Sequence, residues 1–165
     1  MKKQKPDPLT LPELRRAAVD LLSRRDHSRQ ELHRKLLPKA ASVDELNQLL
    51  DELAERRWQS DSRFAETFVN SRINRGHGPV RVKHDLRSKG VASDDIQDAF
   101  ADQDTDWNEK ALDVARRKFG LHADLSDMKL KAKVARFLAY RGFTTGQIQF
   151  AMARISTGED TTFTD

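Results

Sequence analysis

One spacing of apolar residues occurs three times along this 165-residue chain, about 50 residues apart. Steps of three and four place residues on one face of a helix, so each copy contains two amphipathic helices joined by a turn. A period of this length is typical of helical repeat arrays, in which each unit buries its apolar face partly against its neighbours. The steps are 4, 4, 1, 5, 3 and 1, and the positions are Leu32, Leu36, Ala40, Ala41, Leu46, Leu49 and Leu50; Val82, Leu86, Gly90, Val91, Ile96, Ala99 and Phe100; and Val134, Leu138, Gly142, Phe143, Ile148, Ala151 and Met152.

Helix-start signals divide the chain into about nine helices in three sets. Capping boxes, in which Ser or Thr is followed three residues later by Glu, stand at Thr10, Ser28 and Ser42. Further starts are predicted at Asp61, Gly78, Ser93, Trp107, Ser126 and Thr145. The fold predicted is all-α: an elongated, curved tandem array of three three-helix repeats. The repeats cover residues 10–57, 58–103 and 104–155, between a flexible leader (1–9) and a disordered tail (156–165).

Composition excludes several classes of protein. A chain that is 34% charged and 37% hydrophobic suits an extended helical assembly better than a thick globule. It has no cysteine, hence no disulfide framework and no thiolate chemistry. The N-terminal segment lacks the apolar stretch of a signal peptide, and no apolar run approaches the length of a membrane span. We expect a cytoplasmic, monomeric protein, and its net charge of +4 is compatible with an acidic partner or with an ordinary, mildly basic soluble protein.

The segment from residue 70 to residue 96 holds a dense group of positive charges. Glycine can cap a helix, and proline lacks the N–H that a first turn leaves unpaired, so Gly78 and Pro79 are predicted to start a short helix that ends at Gly90. Between residues 70 and 90, Asp85 is the only acidic residue. So basic a helix either contacts an acidic partner or is solvated. The candidate partner-binding residues are Arg72, Arg75, Arg81, Lys83, Arg87 and Lys89.

No pattern in the sequence indicates an enzyme, a metal site or a cofactor. The five histidines have no metal-ligand spacing, since His77 and His84 are seven apart across a Gly-Pro break. Gly76 to Gly78 is not a phosphate loop because no Lys-Ser/Thr pair follows it. Trp58 and Trp107 lie near helix ends, where packing is a commoner role than stacking on bases.

The basic segment resembles the central pattern of the RecX family, bacterial regulators of the RecA recombinase. That pattern is G-x-G-P-x-R-[IV], a leucine four residues on, then K-G-[IV], preceded by an arginine-bearing helix. The likeness continues upstream at residues 24–36 and 60–72 and downstream at 106–107, 115–120 and 133–143, so that it spans roughly residues 14–152. The matching residues of the central pattern are Arg72, Arg75, Gly76, Gly78, Pro79, Arg81, Val82, Leu86, Lys89, Gly90 and Val91.

Two departures from the family pattern concern loops. Residues 56–58 read Arg-Arg-Trp where the family often has a glycine, and residues 38–40 read Pro-Lys-Ala in place of the glycine of the first repeat. We therefore expect the first loop to differ in geometry from the equivalent loops of the other repeats.

The resemblance implies a repeat array that lies in the groove of the RecA–DNA filament and limits its extension. It further implies inhibition of strand exchange, ATP hydrolysis and coprotease activity, in recombination and the SOS response. Single- or double-stranded DNA is a further partner to consider. Two alternatives stay open: an autonomous DNA-binding helical-repeat protein, and a scaffold for another acidic protein. Against the first alternative, the basic residues are spread over all three repeats.

Overall fold

The computed structural model describes residues 4–157, in which nine α-helices follow one another. Apart from them, that range contains a 3-10 turn at Leu37–Lys39 and an isolated bridge between Leu9 and Ala40, and no strand. The all-α prediction is confirmed. The first three residues of the predicted leader and the predicted tail from residue 158 lie outside the described residues. The helices are α1 Leu11–Arg24, α2 Arg29–Leu36, α3 Val43–Glu55, α4 Asp61–Asn74, α5 Pro79–Ser88, α6 Ser93–Ala101, α7 Trp107–Phe119, α8 Met128–Arg141 and α9 Thr145–Ile155.

The capping boxes fix the starts of the first three helices. At α2 the box is complete: the Glu31 N–H donates to the Ser28 hydroxyl and the Ser28 N–H donates to the Glu31 carboxylate, both at 3.1 Å. At α1 the Thr10 N–H donates to the Glu13 carboxylate at 2.8 Å. The box predicted at α3 is half formed, because Ser42 accepts from the Glu45 N–H and the hydrogen bonds of the described residues include no return bond.

The helix starts predicted at Asp61 and Ser93 are confirmed, but each residue is the first of its helix rather than the predicted cap, and the start predicted at Ser126 is two residues early. The Arg63 N–H donates to the Ser60 hydroxyl, so Ser60 caps α4, whereas Asp61 lies inside that helix and instead accepts from the Arg29 N–H at the start of α2. Ser93 is the first residue of α6. Asp127 caps α8 in place of Ser126, because its carboxylate accepts from the Lys129 N–H at 2.9 Å.

The chain divides into two compact units that do not coincide with the repeats. The first unit contains the residues up to Phe68 together with Leu86–Phe100, and the second contains Val69–Asp85 together with the residues from Ala101 onward. The boundary therefore passes within α4 and α5. Each unit has its own apolar core. That of the first unit includes Leu14, Leu32, Leu36, Leu46, Leu49, Leu50 and Leu53, and that of the second includes Ala111, Leu112, Ala115, Val134, Leu138, Phe143, Ala151 and Ile155.

The repeated apolar spacing marks core positions in all three copies. The first two positions of each copy, in α2, α5 and α8, are at most 1% exposed. Removing apolar side chains from water is the main force that holds such helices together. The sequence repeat is therefore a repeat of core positions: Leu32 and Leu36, Val82 and Leu86, and Val134 and Leu138.

The turn after the second helix differs in the first repeat, as expected from its missing glycine. Gly90 and Gly142 have φ of +77° and +93°, a region that residues with a side chain rarely adopt. At the equivalent position Ala40 has φ of −79°, and the 3-10 turn at Leu37–Lys39 ends α2 instead. In the second departure from the family pattern, Arg57 has φ of +58°, so a non-glycine residue there takes the left-handed conformation.

Candidate functional site

The N-terminus of α5 is anchored to the C-terminus of α8 within the second unit. Helix starts leave N–H groups unpaired and helix ends leave C=O groups unpaired. Here the Gly78 N–H donates to the Arg141 carbonyl at 2.7 Å, and the Val80 N–H donates to the Gly142 carbonyl at 2.9 Å. Gly78 precedes α5 and Pro79 is its first residue. The start of the basic helix is thus fixed by its backbone.

Two glycines make this close approach possible. A Cβ atom on Gly78 would collide with the backbone of Gly142 and Phe143. In turn, a Cβ atom on Gly142 would lie 2.6 Å from the backbone nitrogen of Arg81. Backbone cannot move aside as a side chain can, so both positions require glycine.

A matching contact joins the C-terminus of α5 to the N-terminus of α2 within the first unit. The Ser28 hydroxyl donates to the Lys89 carbonyl at 2.8 Å, and a Cβ atom on Gly90 would collide with the side chain of Gln30. Ser28 and Gly78 occupy the same repeat position, as do Lys89 and Arg141. We call these two contacts the α2–α5 seam and the α5–α8 seam.

The two seams differ in charge. In the α2–α5 seam, Lys89 Nζ lies 2.9 Å from Glu31, which also accepts from Arg25 at 3.0 Å. Burial opposes ionisation of Glu31, but hydrogen bonds from Arg25, Lys89 and the Ser28 N–H outweigh it and lower its pKa to about 2. In the α5–α8 seam the position equivalent to Glu31 is Arg81, so the seam lacks this carboxylate.

His77 is a buried side chain surrounded by the positive charges of the α5–α8 seam. The side chain is 8% exposed, and its Nδ1 is buried without a hydrogen-bond partner. Burial lowers the pKa of His77, and the nearby guanidinium groups of Arg81, Arg72 and Arg141 lower it further. The imidazole is therefore held in its neutral form in a strongly cationic environment.

The six predicted partner-binding residues have different surroundings. Arg75 and Arg87 are exposed, and the other four are half-buried. Of these four, Lys89 is held by Glu31 and lies 5.9 Å from the centre of the Phe68 ring, while Arg81 lies over the Tyr140 ring at 5.2 Å. Arg87 and Lys89 belong to the first unit; Arg72, Arg75, Arg81 and Lys83 belong to the second.

The second unit contains a basic cavity that was not predicted from the sequence. It has a volume of about 230 Å³ and its lining includes five cationic residues from α7, α8 and the turn after α4. Three of these residues lie on α7, where Arg117 and Lys118 follow Lys110 by seven and eight residues. This spacing places them on one helix face and could have indicated a basic face from the sequence. The five are Arg75, Lys110, Arg117, Lys118 and Arg141.

The two tryptophans differ in their surroundings. Trp107 packs against the core of the second unit, whereas Trp58 is 46% exposed beneath the guanidinium of Arg56.

Among residues 4–157, no three or more His, Asp or Glu side chains form a group that could hold a metal ion. None of the helices in the same range has the length and apolar character needed to cross a membrane.

Comparison with known proteins agrees with this repeat architecture. Family models for the first, second and third three-helix domains of RecX match residues 15–53, 60–99 and 104–152 respectively. A protein of Neisseria meningitidis named "Regulatory protein RecX" is 44% identical over 139 residues, which are 84% of this chain and 88% of the relative. The chain belongs to the RecX family. A Pseudomonas putida protein of the same name is 40% identical over 147 residues, 89% of this chain and 91% of the relative.

Solved RecX structures share the fold. The crystal structure of RecX from Lactobacillus salivarius matches with a TM-score of 0.73 at 21% identity, covering 89% of this chain and 97% of that one. A second RecX crystal structure matches with a TM-score of 0.70. The tandem arrangement of three-helix domains predicted from the apolar spacing is thus the RecX fold.

Proposed function

We propose that this chain binds the RecA–DNA filament and inhibits the recombinase, ATPase and coprotease activities of RecA in recombination and the SOS response. The observation that carries the proposal is the likeness over most of their length to proteins named "Regulatory protein RecX". In this proposal the chain acts in the cytoplasm as a monomer, by binding rather than by catalysis.

The exposed cations supply a surface suited to such a partner. Arg75, which follows α4, and Arg87, which lies on α5, extend into solvent, and backbone hydrogen bonds hold the start of α5 in place. A rigid helix that loses little freedom on binding makes each ion pair more effective. Several weak contacts spread over a repeated protein also raise the avidity for a repeated partner such as a filament.

RecA's single-stranded-DNA-dependent ATP hydrolysis tests this proposal. We expect the wild-type protein to inhibit hydrolysis and the Arg75→Glu/Arg87→Glu variant to need at least about tenfold more protein for the same inhibition, since each lost charged contact contributes roughly 1 kcal/mol or more. Both side chains are exposed, so circular dichroism and the urea midpoint of the variant should match those of the wild type.

The matched control carries the same change in charge elsewhere. Arg16 and Lys39 are exposed and lie outside the basic segment, so Arg16→Glu/Lys39→Glu should inhibit like the wild type. Equal loss in both variants would assign inhibition to net charge rather than to this surface. Absence of inhibition by folded wild type would overturn the proposed function.

One observation favours the alternative of autonomous DNA binding. Tyr140 is 76% exposed, carries Arg81 over one face of its ring, and shares α8 with the exposed Lys133 and Arg136. Exposed aromatic rings among cations are a common platform for unpaired bases. If this alternative holds, Tyr140→Ala weakens binding to single-stranded DNA in the absence of RecA.

A further inference from the structure

The basic cavity of the second unit combines positive charge with a concave shape. Lys110, Arg117 and Lys118 come from one face of α7, Arg141 comes from α8, and Arg75 follows α4. No carboxylate is among the lining residues. Cations brought together from three separate elements repel one another, and an anion between them would relieve that repulsion.

One of the five cations, Arg141, is held in place before any ligand arrives. Arg141 Nη1 donates to the Arg75 carbonyl at 2.9 Å, and the Arg141 guanidinium lies 5.1 Å from the centre of the Phe137 ring. Gly76, with φ of +80°, forms part of the wall, and a Cβ atom there would approach Val114 Cγ2 to 3.1 Å. Fixed donors bind an anion more effectively than mobile ones because less freedom is lost.

Asp113, which pairs with one of the five cations, neutralises this charge only weakly. Asp113 lies 3.1 Å from Arg117 Nε, but the pair is exposed, with Arg117 73% and Asp113 46% accessible, so water screens it. In the α2–α5 seam, by contrast, Glu31 neutralises Lys89, the counterpart of Arg141. The cavity therefore contains Arg141, the counterpart of Lys89, but has no carboxylate in the role of Glu31.

From these observations we infer that the cavity is a binding site for phosphate groups. Arginine and lysine together are the residues that recognise phosphate, arginine through paired N–H donors and lysine as a point charge. At about 230 Å³ the cavity admits one or two phosphate groups rather than a whole drug-sized ligand. The phosphates would come from a free polyphosphate, such as a nucleoside triphosphate, or from the backbone of a nucleic acid.

Calorimetric titration with inorganic pyrophosphate at low salt tests the site directly. We expect binding by the wild-type protein and at least about tenfold weaker binding by Lys110→Gln/Lys118→Gln, which removes two lysines from the wall. The control Lys129→Gln/Lys131→Gln removes two exposed lysines from α8 outside the cavity and should bind like the wild type. Both variants should keep the wild-type circular dichroism spectrum.

Two further titrations identify the source of the phosphate. If ATP binding weakens in the cavity variant while binding of a single-stranded oligonucleotide does not, the ligand is a free polyphosphate. If oligonucleotide binding weakens by a similar factor, the ligand is a nucleic-acid backbone. Absence of pyrophosphate binding by the wild type, or equal weakening in the two variants, would overturn the inference. None of the four substituted lysines belongs to the proposed filament surface, so failure here would leave the filament proposal unaffected.

Discussion

Glu31 makes several hydrogen bonds and ion pairs that connect different parts of the first unit. Its carboxylate completes the capping box of α2 and pairs with both Arg25 and Lys89, one of which lies 58 residues away in sequence. Its pKa in the folded protein is about 2, well below its ordinary value of 4.5. The ionised carboxylate therefore stabilises the folded state fully above pH 4.5, and this contribution is lost as the pH falls from 4.5 towards 2.

We expect Glu31→Gln to lower the free energy of unfolding at pH 7 by about 1–3 kcal/mol, because it removes the charge from a carboxylate that accepts four hydrogen bonds, two from Arg25 and one each from Lys89 and the Ser28 N–H. Urea denaturation at pH 7 and pH 3 measures this, and the difference from wild type should be smaller at pH 3. Glu13→Gln is the control, since Glu13 caps α1 in the same way but is exposed, and its effect should be smaller. An equal effect of the two substitutions would contradict the role of the Lys89 and Arg25 pairs.

Among the elements, the seams explain why particular turns contain glycine. Gly142 and Gly120 both have positive φ, at +93° and +94°, but only Gly142 has a neighbouring helix where its Cβ atom would be. Gly120 has ψ of 166°, a region that alanine enters less readily than the left-handed region of Gly142, where ψ is 25°. A larger cost of alanine at Gly142 would therefore come from the collision. Strain alone applies at Gly120, since no atom lies within 4 Å of its Cβ position.

We predict that Gly120→Ala lowers the free energy of unfolding by about 1–3 kcal/mol, the cost of a side chain in this backbone region. Gly142→Ala should cost about 1–3 kcal/mol more, because its Cβ atom meets the backbone of Arg81 and α5 must shift. Urea unfolding of both variants provides the comparison. If the two variants were equally destabilised, the collision between the Cβ atom at Gly142 and the backbone of Arg81 would have no energetic cost, which would contradict this prediction.

The sequence predicts the helices and their core positions better than it predicts capping residues or the cavity. Apolar spacing identified the helices and the core positions, because burial follows the helical period directly. Capping residues were harder: several polar residues stand before α4 and α8, and only the structure shows that the Ser60 and Asp127 side chains reach the free N–H groups. The basic cavity could not be predicted, because its cations come from three elements whose proximity depends on tertiary packing.

At the scale of the whole molecule, three copies of one helical pattern form a RecX-family chain whose two compact units do not follow the repeat boundaries. The predicted partner residues belong to both units, so a partner that contacts all six would engage both. Such binding depends on many small contributions rather than on one strong contact. The proposed function therefore requires a partner that can contact both units at once.

The most direct test is to compare binding to RecA filaments assembled on single-stranded DNA with binding to the same DNA alone, at low and at raised salt. We predict tighter binding to the filament and a smaller loss of affinity there as salt rises, since phosphate contacts alone are strongly salt-dependent. Equal or tighter binding to naked DNA, lost in parallel on adding salt, would contradict the filament assignment and favour an autonomous DNA-binding protein.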